Sequence, residues 1–355
     1  MQIDPKILKT DERVAYSLRS IYRRFGYSQF KMSKFEEYAL YIKNKDFLVS
    51  DGIISFTDTN GHLLAIKPDV TLSIINNSKN KDSSIQKLYY DENVYRISKS
   101  SRSFKEIRQT GLECIGNVGF LEVCEVLTLA IKSLESISEK YVFELSHIGL
   151  LEAVLEQCGL EESSKQILPL INSKNLDELK KTVADEQVFN TLAVFVKNFN
   201  CFECALSELE AICNSERAKG ELEAFKAILS FLGDMGYKDN IKVDFSLAND
   251  MNYYCGVVFR GYIEGIPVGV LSGGQYDKLM RKMGRKSGAI GFAVYLDTLE
   301  RYNMEEKQYD VDTVLLCKGS ISEALCKAQE LSKDGSTVRI CTEIPENLRY
   351  RNLIE

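Results

Sequence analysis

The stretch LYYDENVYRISKSSRSFKEIRQTGLECIG, residues 88–116, contains two strand-like runs on either side of a basic segment. Five cations lie in or beside that segment: Arg96, Lys99, Arg102, Lys105 and Arg108. The pattern predicts a β-hairpin with a basic loop. Such a loop can hold phosphate groups through charge-assisted hydrogen bonds, and the alternative is a solvated surface loop.

The second run contains one acidic residue, Glu113, flanked by Leu112, Cys114 and Ile115. A carboxylate in this position either faces solvent from a half-exposed strand or is buried, and a buried carboxylate must be paired. The flanking residues leave both interpretations open.

Two further pairs of apolar runs predict hairpins. FLVSDGIISFTD and HLLAIKPD flank Asn60-Gly61, a dipeptide typical of a type I′ turn, and GVVFRGYI and IPVGVLSGG are joined through Glu264-Gly265. Consecutive hairpins build antiparallel sheets, and helical patterns occur beside them. The expected fold class is therefore α+β, an antiparallel sheet flanked by helices.

Periodicity divides the chain into three parts. A helix is predicted over Lys9–Phe25, ended by Gly26, and residues 148–237 are rich in Leu, Ala and Glu at helical spacing. We expect a core at 1–147 and 238–305, a helical insertion at 148–237, and a truncated C-terminal α/β fragment at 306–355. That fragment has strand-like ends and a helix predicted to start at a capping box, Ser320 with Glu323.

Composition excludes few functions but indicates the broad class of protein. The chain has 355 residues, 45% of them hydrophobic, and 51 acidic against 45 basic residues, with no block of like charges. This balance argues weakly against a nucleic-acid partner. The N-terminus lacks the pattern of a signal peptide, and no run approaches the roughly 18 apolar residues of a membrane span. We expect a cytoplasmic protein without membrane contact.

Metal and nucleotide motifs are weak. His62 and His147 lie far apart, and Cys201 and Cys204 form a single C-x-x-C pair without further ligands. GGQYDKLMRKMG, from Gly273, has neither a Walker nor a G-x-G-x-x-G spacing and predicts a tight turn between a strand and a helix. We expect no metal and no cofactor, and most of the ten cysteines reduced.

In chain order, these segments resemble the catalytic core of histidyl-tRNA synthetases, which are class II aminoacyl-tRNA synthetases. GYSQFKMSKFEE from Gly26 is similar to motif 1, AIKPDVT from Ala65 to the substrate-entry segment, and residues 88–116 to the motif 2 hairpin. LANDMNYYCGVVF and VLSGGQYDKLM are similar to two segments peculiar to the histidine enzymes, and GAIGFAVYLDTLERY takes the place of motif 3. The resemblance extends from residue 1 to about 303, and the tail resembles the opening of an anticodon-binding domain.

The resemblance implies a histidine-binding site. Its expected residues are Asp69, Thr71, Arg96, Gln109, Glu113, Tyr253, Tyr254 and Tyr276. Asp69, Thr71 and Gln109 would lie near the amino group of the ligand. Glu113 and Tyr254 would face its imidazole, and Tyr276 would close the pocket.

Departures from the synthetase pattern predict that the chain has no catalytic residues of its own. The family stabilises the charge that develops on the ATP phosphates with arginines from motifs 2 and 3. Arg96 matches the first, but Thr298 stands in the place of the second, and Asn249 in the place of the arginine that holds the substrate carboxylate. Losing one such donor typically costs about 10² to 10³ in rate. Aminoacylation activity is therefore expected to be lost.

A kept pocket beside lost catalysis resembles the family of regulatory subunits of ATP phosphoribosyltransferase. In that family the synthetase paralogue is required by a short catalytic subunit and passes on feedback from histidine in the first step of histidine biosynthesis. The resemblance implies three partners: the short catalytic subunit, a second copy of this chain through the core, and L-histidine as effector; tRNA is not expected. The alternatives are a divergent histidine-activating ligase and a scaffold with a relic pocket.

Overall fold

The computed structural model describes residues 8–45, 48, 52–78, 84–97, 102–199, 201–247, 253–299, 302 and 308–355. Lys99 and Asn249, two positions singled out in the sequence, lie outside these residues. The chain forms two compact units, Thr10–Tyr302 and a smaller one made of Met1–Lys9 with Asn303–Glu355. The division into core, insertion and tail stays a prediction.

An eight-stranded sheet is the framework of the larger unit. From edge to edge its strands are β1 (Ser28–Gln29), β5 (Gln86–Ile97), β6 (Phe104–Gly116), β11 (Gly288–Tyr295), β10 (Leu271–Gln275), β9 (Val257–Ile263), β7 (Tyr141–His147) and β8 (Ile241–Val243). All neighbours are antiparallel except the two edge pairs, β1 with β5 and β7 with β8. The predicted β5–β6 and β9–β10 hairpins are confirmed, and the parallel edges were not predicted.

The helices of the larger unit fall into two groups by sequence. Those outside the predicted insertion are α1 (Thr10–Arg24), α2 (Tyr38–Lys43), α3 (Thr71–Asn77), α4 (Phe120–Glu135) and α11 (Asp277–Lys282). Those of residues 148–237 are α5 (Ile148–Gln157), α6 (Ser164–Asn172), α7 (Leu176–Thr182), α8 (Glu186–Ala193), α9 (Phe202–Ile212) and α10 (Glu216–Asp234). Apolar residues at helical spacing bury one face of α1, and Gly26, with φ +82°, lies beyond its end, as predicted.

The two faces of the sheet have different cover, because successive residues of a strand point to opposite sides. Leu112, Cys114 and Phe292 belong to the core that includes α1 and α4, and the Tyr22 ring of α1 meets Phe292 edge to face at 5.9 Å. The alternate residues, including Glu113 and Gly291, therefore point to the opposite face. That face carries the cavity described below.

A small sheet orders β2 (Phe35–Glu37), β4 (Leu63–Ile66) and β3 (Ser55–Thr57). The hairpin around Asn60-Gly61 is confirmed, but the type I′ turn is wrong. Thr57 pairs with Leu63, so the loop has more than two residues, and Gly61 alone of the pair has a positive φ, +84°. The Asp58 carboxylate organises this loop by accepting the backbone N–H groups of Asn60 and His62, each at 2.8 Å.

The smaller unit contains a three-stranded parallel sheet. Its elements are β12 (Val311–Leu316), α12 (Ile321–Leu331), β13 (Val338–Cys341) and β14 (Tyr350–Ile354), in the sheet order β13-β12-β14. The β-α-β pattern is confirmed, and β14 was not predicted. The capping box is wrong: Ser320 is the N-cap residue, but its hydroxyl bonds to the Ser322 hydroxyl at 2.7 Å instead of capping the helix.

Cys201 and Cys204 are joined by a disulfide at the start of α9, and the other eight cysteines are free. Within the described ranges no helix is long and apolar enough to cross a membrane.

Candidate functional site

A cavity of about 450 Å³ lies on the sheet face opposite α1 and α4. All eight residues predicted for the site line it: Asp69, Thr71, Arg96, Gln109, Glu113, Tyr253, Tyr254 and Tyr276. They come from β5, β6, α3 with the segment before it, and the segments before β9 and α11, so the tertiary fold brings together positions that are far apart in sequence. The nature of the ligand stays a prediction.

Glu113 is the buried acid of the cavity, with 2% of its surface exposed. This settles the choice between a solvent-facing and a buried carboxylate. Its Oε1 accepts a hydrogen bond of 2.8 Å from the Thr71 hydroxyl, and its Oε2 accepts one from the Tyr276 hydroxyl. Among the described residues no cation lies within 4.0 Å of it. A buried carboxylate held only by hydroxyls remains ready for a charged or N–H-donating ligand.

Burial sets the protonation state of Glu113. Burial, with a smaller contribution from the nearby Asp69 carboxylate, raises the pKa of the carboxyl to about 8 against the opposing effect of the Tyr276 and Thr71 hydroxyls. The side chain is therefore mostly neutral at pH 7 in the empty cavity. A cationic ring beside it would favour the ionised form, because an opposite charge nearby lowers the pKa of a carboxyl.

Glycines leave room for the groups that line the floor of the cavity. Gly291, opposite Glu113 on β11, has no side chain where the Glu113 carboxylate lies, and a Cβ there would collide with Oε2. A Cβ on Gly274 would lie 2.7 Å from the Tyr254 ring. The glycines of VLSGG are therefore required by close approach. The predicted passage from a strand to a helix is confirmed, but the predicted turn at the glycines is wrong, because Gly273 and Gly274 lie within β10 and only Tyr276 separates that strand from α11.

Three tyrosines form the wall around Glu113. The Tyr253 ring lies 4.6 Å from that of Tyr254 and 5.7 Å from that of Tyr276, centroid to centroid. Burial raises the pKa of both Tyr253 and Tyr276 well above the ordinary value, so both hydroxyls stay protonated. Such a wall offers flat apolar area with hydroxyl groups at its edge, which suits a small polar aromatic ring.

Asp69 and Arg96 form the polar rim. The Asp69 Oδ1 accepts the backbone N–H of Leu72 at 2.9 Å and so anchors the start of α3, while its Oδ2 lies 3.7 Å from the Arg96 guanidinium. Arg96 also donates from Nε to the carbonyl of Pro68 at 2.9 Å. Burial raises the pKa of Asp69, against the opposing effect of Arg96. The guanidinium is fixed in place and keeps further N–H donors for a ligand.

The cations of the basic hairpin lie in different environments. Arg96 lines the cavity, but Arg108 forms ion pairs with Asp11 at 3.0 Å and Asp91 at 3.2 Å. Lys105 is exposed. A phosphate-binding loop made of all five cations is therefore not formed by the described residues.

Sequence reasoning missed part of the cavity wall. Tyr90, Arg260, Ser272 and Tyr295 also line it. The only sequence signal for them is strand alternation, and it does not reveal which strands are neighbours.

No group of three or more potential metal ligands occurs among the described residues. His147, one of the two histidines, caps α5 instead: its Nδ1 accepts the backbone N–H of Leu150 at 3.2 Å. Burial lowers the pKa of His147 to about 4, so the ring is neutral at pH 7.

Known proteins are similar to this chain in sequence and in fold. A protein-family model described as Histidyl-tRNA synthetase matches residues 2–299. A curated relative from Clostridium botulinum, named ATP phosphoribosyltransferase regulatory subunit, is 28% identical over 343 residues, which cover 92% of this chain and 80% of the relative.

Two solved structures share the fold. One, an ATP phosphoribosyltransferase regulatory subunit/histidyl-tRNA synthetase from Bacillus halodurans, is 23% identical with a TM-score of 0.79, covering 100% of this chain and 96% of that chain. The other, from the ATP phosphoribosyl transferase (HisG:HisZ) complex of Thermotoga maritima, is 23% identical with a TM-score of 0.63, covering 79% of this chain and 96% of that chain. They confirm the predicted α+β synthetase-like fold.

Proposed function

This chain belongs to the histidyl-tRNA synthetase family, and from that membership we propose that it is a regulatory subunit of ATP phosphoribosyltransferase in histidine biosynthesis. The family predicted from the sequence motifs is confirmed. The name shared with the curated relative supports the regulatory role, and the fold shared with a chain of the Thermotoga maritima complex is consistent with it. The chain acts in the cytoplasm beside a short catalytic subunit.

L-histidine is the effector, and the observation that carries this assignment is the environment of Glu113. A carboxylate with 2% exposure, held by two hydroxyls and faced by tyrosine rings, matches a ring that donates N–H groups. Arg96, fixed by Pro68 and Asp69, is the nearest predicted partner for the ligand carboxylate. Regulation needs only that histidine bind one arrangement of the assembly better than another, a coupling of typically 1–3 kcal/mol.

The chain does not aminoacylate. Thr298, in the place of the motif 3 arginine, lies in the short 3₁₀ helix Leu296–Leu299. Its hydroxyl donates to the carbonyl of Tyr295 at 2.6 Å. Thr298 is short, uncharged and hydrogen-bonded to the backbone, so it cannot stabilise negative charge on a phosphate as an arginine does. The site therefore has less of the preorganised positive charge that phosphoryl chemistry needs.

A second copy of this chain binds at the small sheet. Phe35 and Leu63 are 50% and 49% exposed there, and the Phe35 and Phe56 rings meet edge to face at 5.2 Å. An exposed apolar patch of this kind is typical of an interface. Phe35→Asp should convert a dimer to a monomer in analytical ultracentrifugation, whereas Phe104→Asp, at an exposed aromatic on β6, should leave the dimer intact.

The deciding experiment is reconstitution with a short catalytic subunit. The purified chain should form a complex with it, raise its ATP phosphoribosyltransferase activity, and make that activity sensitive to histidine. Glu113→Gln should keep the complex and the activation but weaken the histidine effect. Failure to form a complex, or activity unaffected by this chain, would contradict the proposal.

One observation favours a second candidate, a histidine-activating ligase: two guanidinium groups, Arg96 and Arg260, line the same cavity. Histidine-dependent exchange of pyrophosphate into ATP by the purified chain separates the two functions. A regulatory subunit gives no exchange above background, and a ligase gives exchange that Arg96→Gln abolishes.

A further inference from the structure

Arg260 is a cation of the cavity wall that forms no close ion pair with a described residue. It lies on β9, and its guanidinium reaches the Tyr262 hydroxyl at 3.5 Å, the outer limit of a hydrogen bond. No carboxylate of the described residues lies within 4.0 Å of it. Glu144, its cross-strand partner on β7, acts on it electrostatically from a greater distance. The guanidinium therefore keeps donors for an oxyanion.

Strand register separates Arg260 from the position of the ligand ring. Glu113 on β6 pairs with Gly291, Gly291 with Gly274, and Gly274 with Val258, which precedes Arg260 by two residues on β9. Three strand spacings and two residues of rise place the two Cα atoms roughly 16 Å apart. Free histidine spans only about 6 Å from ring to carboxylate. The Arg260 guanidinium reaches the Tyr262 hydroxyl, and Tyr262 lies two residues farther along β9 from the Glu113 register. We therefore expect the carboxylate of a histidine seated at Glu113 to lie at Arg96 and not at Arg260.

Two hydroxyls accompany Arg260. Ser272, its cross-strand partner on β10, forms a hydrogen bond of 2.6 Å with the Tyr295 hydroxyl, and both residues line the cavity. Gly269 makes room for the arginine, because a Cβ there would lie 2.8 Å from the Arg260 Cδ. A guanidinium beside two hydroxyls is a set of donors suited to phosphate or carboxylate oxygens.

We propose that Arg260, Ser272 and Tyr295 form an oxyanion subsite for a second ligand, distinct from the carboxylate of the histidine bound at Glu113. The inference rests on the proposed function for the first ligand and adds a second, anionic effector to it. The shared chemistry is an oxyanion, carried either by a phosphorylated molecule or by a small dicarboxylate.

Calorimetry on the full-length chain tests the subsite with two probes, pyrophosphate and succinate. Wild type should bind at least one of them. Arg260→Gln should weaken that binding at least tenfold, while Arg260→Lys, which keeps the charge, should retain part of it. Arg339→Gln, at an exposed arginine of the smaller unit, should bind like wild type. Histidine affinity should be the same in wild type and Arg260→Gln.

Three results would overturn the subsite. Wild type binds neither probe; Arg260→Gln binds the probe as tightly as wild type; or Arg260→Gln loses histidine affinity tenfold, which would place the histidine carboxylate at Arg260. Thermal melts of each variant show whether it is folded. These readouts do not involve the catalytic subunit, so failure of the regulatory role would leave them unchanged.

Discussion

The Thr71 hydroxyl donates a hydrogen bond of 2.8 Å to the Glu113 Oε1 and so connects the first turn of α3 to the middle of β6. The partners lie 42 positions apart in the chain. Because Asp69 anchors the start of the same helix, the position of α3 and the state of the buried acid are coupled.

Thr71→Val should destabilise the ligand-free protein by about 1–3 kcal/mol, since it leaves one oxygen of a buried carboxyl without its donor. Urea unfolding measures the change. Thr182→Val, which removes an exposed hydroxyl bonded only to a backbone carbonyl of its own helix, is the matched control and should change stability by less than about 0.5 kcal/mol. Equal effects would show that the Thr71 contact contributes nothing specific.

Histidine affinity should be highest between about pH 6.5 and about pH 8. Imidazole has an ordinary pKa of about 6.5, and burial raises the pKa of Glu113 to about 8. The complex shares one proton between ring and carboxyl. Above pH 8 the free ring and the free Glu113 carboxyl are both deprotonated, so binding must take up a proton. Below pH 6.5 both are protonated, so binding must release one. Affinity therefore falls about tenfold per pH unit on either side. Calorimetry across this range measures the profile.

Glu113→Gln should remove the alkaline limb of that profile, because an amide does not titrate. A wild-type affinity that stays constant from pH 7 to pH 10 would show that Glu113 does not share a proton with the ligand.

Two buried groups should act on ligand-free stability in opposite directions. The raised pKa of Glu113 gives a contribution fully present below about pH 4.5 and lost as pH rises through about 8. The lowered pKa of His147 gives a contribution present above about pH 6.5 and lost as pH falls through about 4. Chemical denaturation should show that Glu113→Gln loses less free energy of unfolding than wild type between pH 5 and pH 8.

His147→Asn tests whether His147 causes the loss of stability at acid pH. Asparagine also caps helices but does not titrate, so α5 is retained and the loss of stability between pH 6.5 and pH 4 should shrink. An unchanged acid limb would assign that loss to other groups.

Gly274→Ala should abolish histidine binding, because the new Cβ would lie 2.7 Å from the Tyr254 ring and from the carbonyl of Val257. The control is Gly220→Ala in α10, where no heavy atom lies within 4 Å, and it should stabilise the protein by about 0.5–1 kcal/mol. Calorimetry with histidine and a thermal melt separate loss of the site from loss of the fold. A Gly274→Ala protein that binds histidine normally would show that Tyr254 can move aside.

Arg96→Ala should weaken histidine binding by about tenfold, since Arg96 is the predicted partner of the ligand carboxylate and charge-assisted hydrogen bonds are worth about 1.5–3 kcal/mol. Unchanged affinity in calorimetry would remove Arg96 from the site. Lys105→Ala, at an exposed cation of the same hairpin, is the control for a general effect of charge.

The sequence by itself determined the elements and the chemistry available to them. Strand-like runs on either side of a loop predicted the β5–β6 and β9–β10 hairpins, and the order of motifs predicted eight of the residues that line the cavity around Glu113. The hairpin predictions succeeded because strand alternation and turn residues are local properties of the chain, whereas the role of the site residues stays a prediction.

Only the tertiary structure determined which faces of the helices and strands pack against each other. Whether Glu113 was buried depended on α3 and Tyr276 reaching it from distant parts of the chain, and Arg260 entered the cavity only because β9 lies beside β10, across from β6. The type I′ turn and the Ser320 capping box failed for a related reason: the hydroxyls and carboxylates of neighbouring residues competed for the same local groups. A side chain's neighbours across a sheet depend on strand order, and strand order is not a local property.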